Sequence, residues 1–338
     1  MTRYHAGVSL IQIITPHVDA TGSGNATTAR RWATRLRELR HRVRIATRYD
    51  GAPCDVLVAL HARKSAGSIR RFHRTFPRHP LIVALTGTDV YRDLAHSSRA
   101  EASVEAASRL VVLQRLALRE LAPRHRRKAV VIEQSAPSLS PRERALRQRA
   151  HAATGNARSA GAFTVAVLAN LRHVKDPLRA AMAARRLPGT SRIHIVHAGD
   201  ALTAAYARRA RCASQTNARY AWAGPLTAAG ARRLLLSSQA LILSSRLEGG
   251  ANVVSEAIVC GVPVLASRIP GSVGLLGERY PGYFPVGDTR RLTALLERLE
   301  AEPQFANRLR RHVRGLAARF TPTRERAAWR RLLRGLGT

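Results

Sequence analysis

Cysteine is scarce and unpatterned in this chain. Cys54, Cys212 and Cys260 are odd in number and far apart, which excludes a disulfide framework and offers no metal-ligand spacing; a reducing, cytoplasmic setting fits such usage. Long apolar runs are lacking too. No stretch approaches the ~20 residues of a membrane span. The apolar start at Val8–Ile14 is followed by a glycine turn and a helical pattern, with no small-residue cleavage site, so it reads as a strand. Aromatic residues make up only 5%, too few to interleave base-stacking platforms with the basic residues. Acidic residues are sparse: 21 Asp and Glu face 57 Lys and Arg, a formal net charge of +36. That excess invites a nucleic-acid reading, because dense Lys and Arg hold phosphate backbones without sequence specificity. No zinc-finger, RRM-like or helix-turn-helix signature accompanies it, and the arginines fall on amphipathic stretches such as Ala29–Val43 and Arg308–Phe320. A basic nucleic-acid binder stays as the competing class, although no nucleic acid is the expected partner. Two small anionic substrates account for part of the charge and leave the rest unexplained.

What is present is a globular composition, 45% hydrophobic over 338 residues. That length suits two domains, since one core seldom grows past ~250 residues. Short apolar runs alternate with helical patterns. Strands are expected at Val8–Thr15, Val43–Ala46, Val56–Leu60, Leu81–Leu85, Arg109–Leu113 and Ala129–Ile132. The alternation restarts with strands at Phe163–Ala169, Arg192–His197, Arg219–Trp222, Ala240–Leu243 and Val262–Ala266. Between them, stretches such as Thr27–Leu39, Ser65–Phe76 and Ala201–Cys212 carry helical spacing, and Arg290–Glu300, Gln304–Phe320 and Thr323–Leu336 close the chain as helices. This pattern predicts an α/β protein of two doubly wound, Rossmann-like units with parallel sheets. The expected domains are 1–150 and 151–320, joined through Pro137–Ala160, with a terminal helix in 321–338.

The segment Ser244–Pro263, SSRLEGGANVVSEAIVCGVP, organises the candidate chemistry. It follows an apolar strand, turns through Glu248-Gly249-Gly250 and opens a helix near Asn252 that carries Glu256 in its second turn. Glycines allow close approach of a ligand to backbone, and the free N–H groups of 252–254 at a helix start attract an anion. Glu256 is placed to accept from a neutral diol such as ribose. An ordinary strand–loop–helix crossover with two surface glutamates would leave the same trace.

Glu248 and Glu256, with seven residues between them, followed by Gly261-Val262-Pro263-Val264, resemble the signature of retaining GT-B glycosyltransferases that use nucleotide sugars. The fuller set of GGANVVSEAIVCGVPVLASRIPG, LTGTDVYRD at Leu85–Asp93, LHARKS at Leu60–Ser65, LRHVKDP and YPGYFPVGD resembles the selenosugar synthases of selenoneine biosynthesis. The resemblance runs from about residue 10 to 290. It implies a GT-B fold whose two units face a cleft, and an enzyme joining a UDP-sugar to selenophosphate. A related fold, the non-hydrolysing nucleotide-sugar epimerase, lacks the two-glutamate arrangement; a glycosyltransferase with an ordinary hydroxyl acceptor remains open.

The donor residues so implied are Gly24 and Asn25 in the glycine loop Gly22-Ser23-Gly24-Asn25, then Arg172 and Lys175, and Gly249, Gly250, Asn252, Val253, Val254 and Glu256. Lys175 matches the family's lysine, whereas Arg172 lies two residues beyond the usual arginine, where this chain has Asn170. Glu248 and His61 are the catalytic candidates. Arg30, Arg31, Arg63, Lys64, Thr86, Gly87 and Thr88 are the acceptor-side donors, with Asp89 set to orient a neighbour and Gln134-Ser135 secondary. A lone histidine such as His61 is also commonly structural. No Asp-x-Asp motif occurs, so neutralising the UDP leaving group falls to fixed cations and helix N–H groups, with no metal required.

Overall fold

A computed structural model describes residues 8–16, 24–155 and 163–336. They divide into two compact units: Met1–Ser135 with Glu248–Asn252 and Arg319–Thr338, and Ala136–Leu247 with Val253–Ala318.

In the first unit the elements are β1 (Leu10–Ile14), α1 (Gly24–Glu38), β2 (Arg42–Ala46), β3 (Val56–Leu60), α2 (Ala66–Thr75), β4 (Leu81–Leu85), α3 (Leu94–His96), α4 (Ser98–Ala106), β5 (Arg109–Val112), α5 (Pro123–Arg126) and β6 (Ala129–Val131). All six strands are parallel, in the order β2-β1-β3-β4-β5-β6. β3 and β4 are buried at every position, the mark of a parallel sheet covered on both faces. β2 lies at the edge and exposes Arg42 and Arg44.

The second unit runs α6 (Pro141–Gly155), β7 (Phe163–Leu168), α7 (Arg179–Ala184), β8 (Ile193–Ala198), α8 (Ala204–Gln215), β9 (Tyr220–Gly224), α9 (Ala228–Ser237), β10 (Ala240–Leu243), α10 (Asn252–Val259), β11 (Val264–Ser267), α11 (Pro270–Leu276), β12 (Tyr283–Phe284), α12 (Thr289–Ala301) and α13 (Pro303–Leu316). Its sheet is also parallel, ordered β12-β11-β10-β7-β8-β9. A last helix, α14 (Pro322–Arg334), is grouped with the first unit and packs on α1. Two doubly wound α/β sheets make this the GT-B architecture.

Strand order fixes where ligands belong. An open parallel sheet leaves a crevice at the carboxyl ends of its strands where the winding reverses. In the first sheet the reversal falls between β1 and β3, and in the second between β7 and β10. The loops after β3, β7 and β10 carry His61, Lys175 and Glu248, respectively.

α1 buries Ala29, Trp32, Ala33 and Leu36, a stripe at the i, i+3, i+4, i+7 spacing of one helical face. Trp329 of α14 meets Trp32 edge to face, with ring centroids 4.9 Å apart. Between these helices the buried Glu325 carboxylate accepts from Trp32 Nε1 at 3.0 Å and from the Ser135 hydroxyl.

In the second unit, His197 of β8 is fully buried. One ring nitrogen, Nε2, faces the Ala169 carbonyl at 2.8 Å and must donate; Nδ1, 2.8 Å from the Tyr220 hydroxyl, then accepts. This neutral ring has its pKa pushed down to about 4 by burial, against an ordinary 6.5. The folded state therefore binds fewer protons than the unfolded chain between those values, and stability falls as pH drops through that window. His197→Gln should lose about 2 kcal/mol less than wild type between pH 7 and pH 5. Urea titrations showing the same loss of unfolding free energy between the two pH values for both proteins would contradict this.

Five elements exceed the sequence expectations. α3, α4, α5 and α11 form where no helix is expected, and Tyr283-Phe284 within YPGYFPVGD forms the two-residue strand β12. Tyr280 is buried and its hydroxyl accepts from Val264 N at 2.9 Å. None of the described helices is long and apolar enough to cross a membrane. The three cysteines are free; burial pushes Cys54 up to about 12 and Cys260 up to about 11, so neither is a ready nucleophile.

Candidate functional site

Three groups of candidate residues assemble at strand ends. The first lies in the first unit at the start of α1. Gly22 and Ser23 of the glycine loop lie outside the described residues. The Thr86 hydroxyl donates to Asn25 Oδ1 at 2.8 Å, linking the loop after β4 to α1. Asn252, in the segment grouped with this unit, accepts from Arg31 Nη1 at 2.6 Å and donates to the Gly24 carbonyl at 3.3 Å. A Cβ on Gly249 would lie 2.8 Å from the Thr86 carbonyl and Gly87 N; one on Gly250 would lie 2.7 Å from Leu113 Cβ. The approach these glycines permit is thus that of the chain itself. The expectation that they clear space for a ligand alone misses this packing. Glu248 is half-buried.

The second group surrounds His61. This residue follows β3 with φ 73°, a left-handed conformation uncommon for a side chain with a Cβ. Its ring is buried, with Nδ1 3.8 Å from Asp89 Oδ2 and Nε2 3.8 Å from Asp93 Oδ2. Burial lowers the His61 pKa; Asp89 and Asp93 raise it, and Lys64 and Arg63 add to the lowering. Asp89 is itself fully buried and accepts from Ala62 N at 3.1 Å and Gly87 N at 2.8 Å. It therefore fixes the His61 and Thr86–Gly87 backbones together. Arg63 Nε donates to Asp93 at 2.9 Å, while Lys64 is exposed. Arg30 is exposed on α1, and Thr88 is half-buried.

The third group belongs to the second unit. Arg172 and Lys175 occupy the loop after β7, where Asp176 takes a left-handed φ of 45°. The Ser244 hydroxyl, at the end of β10, lies 3.0 Å from the carbonyls of Lys175 and Asp176. Arg246 N donates to the Val174 carbonyl at 2.8 Å, and its guanidinium lies 3.7 Å from Asp176. The two loops of the β7–β10 switch are thereby tied together. Val253 and Glu256 are half-buried and Val254 is buried on α10.

The comparisons bear on this second unit first. The family Glycosyl transferases group 1 matches residues 153–315. The matched segment includes Arg172, Lys175, Glu248 and Glu256. Solved structures match the whole fold. Anabaena HepE in complex with UDP aligns with a TM-score of 0.71 at 16% identity, covering 96% of this chain and 99% of that one. Its complex with UDP-glucose gives 0.70 at 16% identity, over 97% and 99%. Sucrose-phosphate synthase from Thermosynechococcus elongatus aligns at 0.75 and 16% identity, over 97% and 98%. No curated protein matches the sequence significantly.

Sequence reasoning missed Asp93, Ser244 and Arg246. Asp93 was legible only as the last residue of LTGTDVYRD, four positions after Asp89. A metal-like grouping also lies outside the candidate site: Glu101, Glu105 and His125 bring ligand atoms within 4.8 Å of one another. Arg124 sits 2.8 Å from Glu101 and 3.5 Å from Glu105, an ion-pair cluster that already balances both carboxylates.

Proposed function

We propose that this glycosyltransferase moves the sugar of a UDP-sugar, of the UDP-N-acetylglucosamine or UDP-glucose type, onto selenophosphate. The observation that carries the donor half is the pairing of Glu248 and Glu256 around the start of α10, beside the β7–β10 switch of a group 1 domain. Likeness in fold to structures holding UDP and UDP-glucose supports the same donor class. In this reading Glu256 accepts from the ribose hydroxyls, and the N–H groups of 252–254 and Lys175 receive the diphosphate. Glu248 and Gly249 meet the sugar. Selenium attacks C1 as the C1–oxygen bond to UDP breaks; water then takes the phosphoryl group from selenium, leaving a selenosugar and phosphate. A charged, polarisable selenium needs positioning more than deprotonation, so Lys64 and Thr88 serve on the acceptor side, while the expected donors Thr86 and Gly87 are engaged by Asn25 and Asp89.

A hydroxyl acceptor is the second reading, and one observation favours it. Arg63 is engaged by Asp93 and Arg31 by Asn252, which leaves fewer cations for an anionic acceptor than the sequence suggests.

Calorimetry on Glu256→Ala tests the donor site. UDP should bind about 1–3 kcal/mol more weakly, the scale of lost charged hydrogen bonds; unchanged affinity would place the ribose elsewhere. Mass analysis of products formed from UDP-sugar with selenophosphate or a neutral alcohol tests the acceptor. Equal transfer to both would end the selenium assignment and leave the transferase standing.

A further inference from the structure

A cavity of about 410 Å³ opens within the second unit between α6 and α13, lined by His151 and by Arg308, Arg310, Arg311 and Arg314. The remaining lining is two amides, and no carboxylate contributes. Spacing makes this face deliberate in the sequence: residues 304, 307, 308 and 311 repeat at i, i+3, i+4 and i+7, one side of a helix. A second hollow of about 230 Å³, lined in part by Arg144 and Arg147, shares Arg314 with it.

The arginines here differ in what they touch. Arg147 is buried and structural: it donates to the Ser238 carbonyl at 2.6 Å and the Gly261 carbonyl at 3.1 Å. Arg310, also buried, donates to the Asn307 side chain at 3.0 Å within the cavity wall. Arg308 and Arg311 stand exposed at the rim. Burial lowers the pKa of His151 and of Arg310, and neighbouring guanidiniums lower both further. Like charges are therefore crowded where an anion would relieve them.

We propose that this cavity binds a small oligophosphate, a diphosphate or triphosphate group, at a site separate from the sugar donor's. Four guanidiniums match the charge of a triphosphate better than that of a single phosphate or sulfate, and planar guanidiniums suit phosphate oxygens. Separation follows from α10. That helix holds the candidate donor residues in its first two turns, Glu256 included, and contributes nothing to the proposed cavity, whose lining lies on α6 and α13.

Calorimetry with sodium tripolyphosphate on the full chain, at about physiological salt, decides the matter. Wild type should bind one equivalent, with saturating UDP making no difference. Arg308→Gln/Arg311→Gln should bind at least about tenfold more weakly, one lost charged contact or more. Asn307→Asp sets a carboxylate beside Arg310; it should weaken binding and raise the melting temperature of the ligand-free protein. Binding unaffected by these changes overturns the proposal, as does displacement by UDP or equally tight binding of sulfate. A single-stranded oligonucleotide that binds more tightly than tripolyphosphate and loses affinity in the double variant would make this a nucleic-acid surface instead, which also overturns it.

Discussion

Lys175→Ala should lower kcat for sugar transfer by about 10²–10³-fold, the scale for removing one fixed stabiliser of developing charge. In the proposed reaction the departing UDP would gain negative charge as the bond to C1 breaks, and a cation already in place would stabilise that state more than the ground state. Lys175 lies in the loop after β7, at the switch of the second sheet, and Ser244 holds the loop's backbone through the carbonyls of Lys175 and Asp176. Its basic neighbours have another task. Arg179 donates to Asp176 at 2.9 Å and Arg246 lies 3.7 Å from it; in the proposed reaction Lys175 and Arg172 receive the diphosphate. Lys175→Arg should recover part of the rate, because charge is kept while its position shifts. Activity should persist in EDTA, since the chain has no Asp-x-Asp motif. A Lys175→Ala enzyme within about threefold of wild type, well short of the loss for such a stabiliser, would remove Lys175 from the leaving-group site. Loss of activity in EDTA with recovery on magnesium would assign that task to a metal.

Much of the fold was legible because the strands are buried on both faces. Val56–Leu60, Leu81–Leu85 and Ala240–Leu243 are unbroken apolar runs, and all three form strands with those bounds. β12 escaped notice because two residues at a sheet edge carry no period. α4, with the sequence SRAEASVEA, buries only Ala100, Ser103 and Val104 and offers no clear apolar stripe. The candidate site divides in the same way. Glu248, the paired glycines and Glu256 are local in sequence and could be read together. The carboxylates that flank His61 and Arg63 come from another loop, some 30 positions on, and only pairing of β3 with β4 brings them there. The need for glycine at 249 and 250 likewise depends on Thr86, Gly87 and Leu113, which no local pattern announces.

Glu325→Ala should destabilise the first unit by about 3–4 kcal/mol, the sum of two charged hydrogen bonds lost in a buried site. The carboxylate joins three segments remote in sequence: Trp32 of α1, Ser135 beyond β6, and α14 itself. Truncation leaves an indole N–H and a hydroxyl buried without their acceptor and opens space beside the Trp32–Trp329 pair. Glu325→Gln should be far milder. It keeps an acceptor oxygen for Trp32 and avoids the desolvation of charge that holds the Glu325 pKa above its ordinary range, against the pull of Ser135, Arg31 and Trp32. That raised pKa has its own consequence. The folded state binds the proton more readily than the unfolded chain, so the stability gained by protonation is lost as pH rises from 4.5 through the folded value. Urea unfolding followed by tryptophan fluorescence should therefore show the Gln variant with a flatter profile than wild type over that window. A Gln variant as unstable as the Ala variant would mean that the negative charge, rather than the hydrogen-bond geometry, holds α14 to α1.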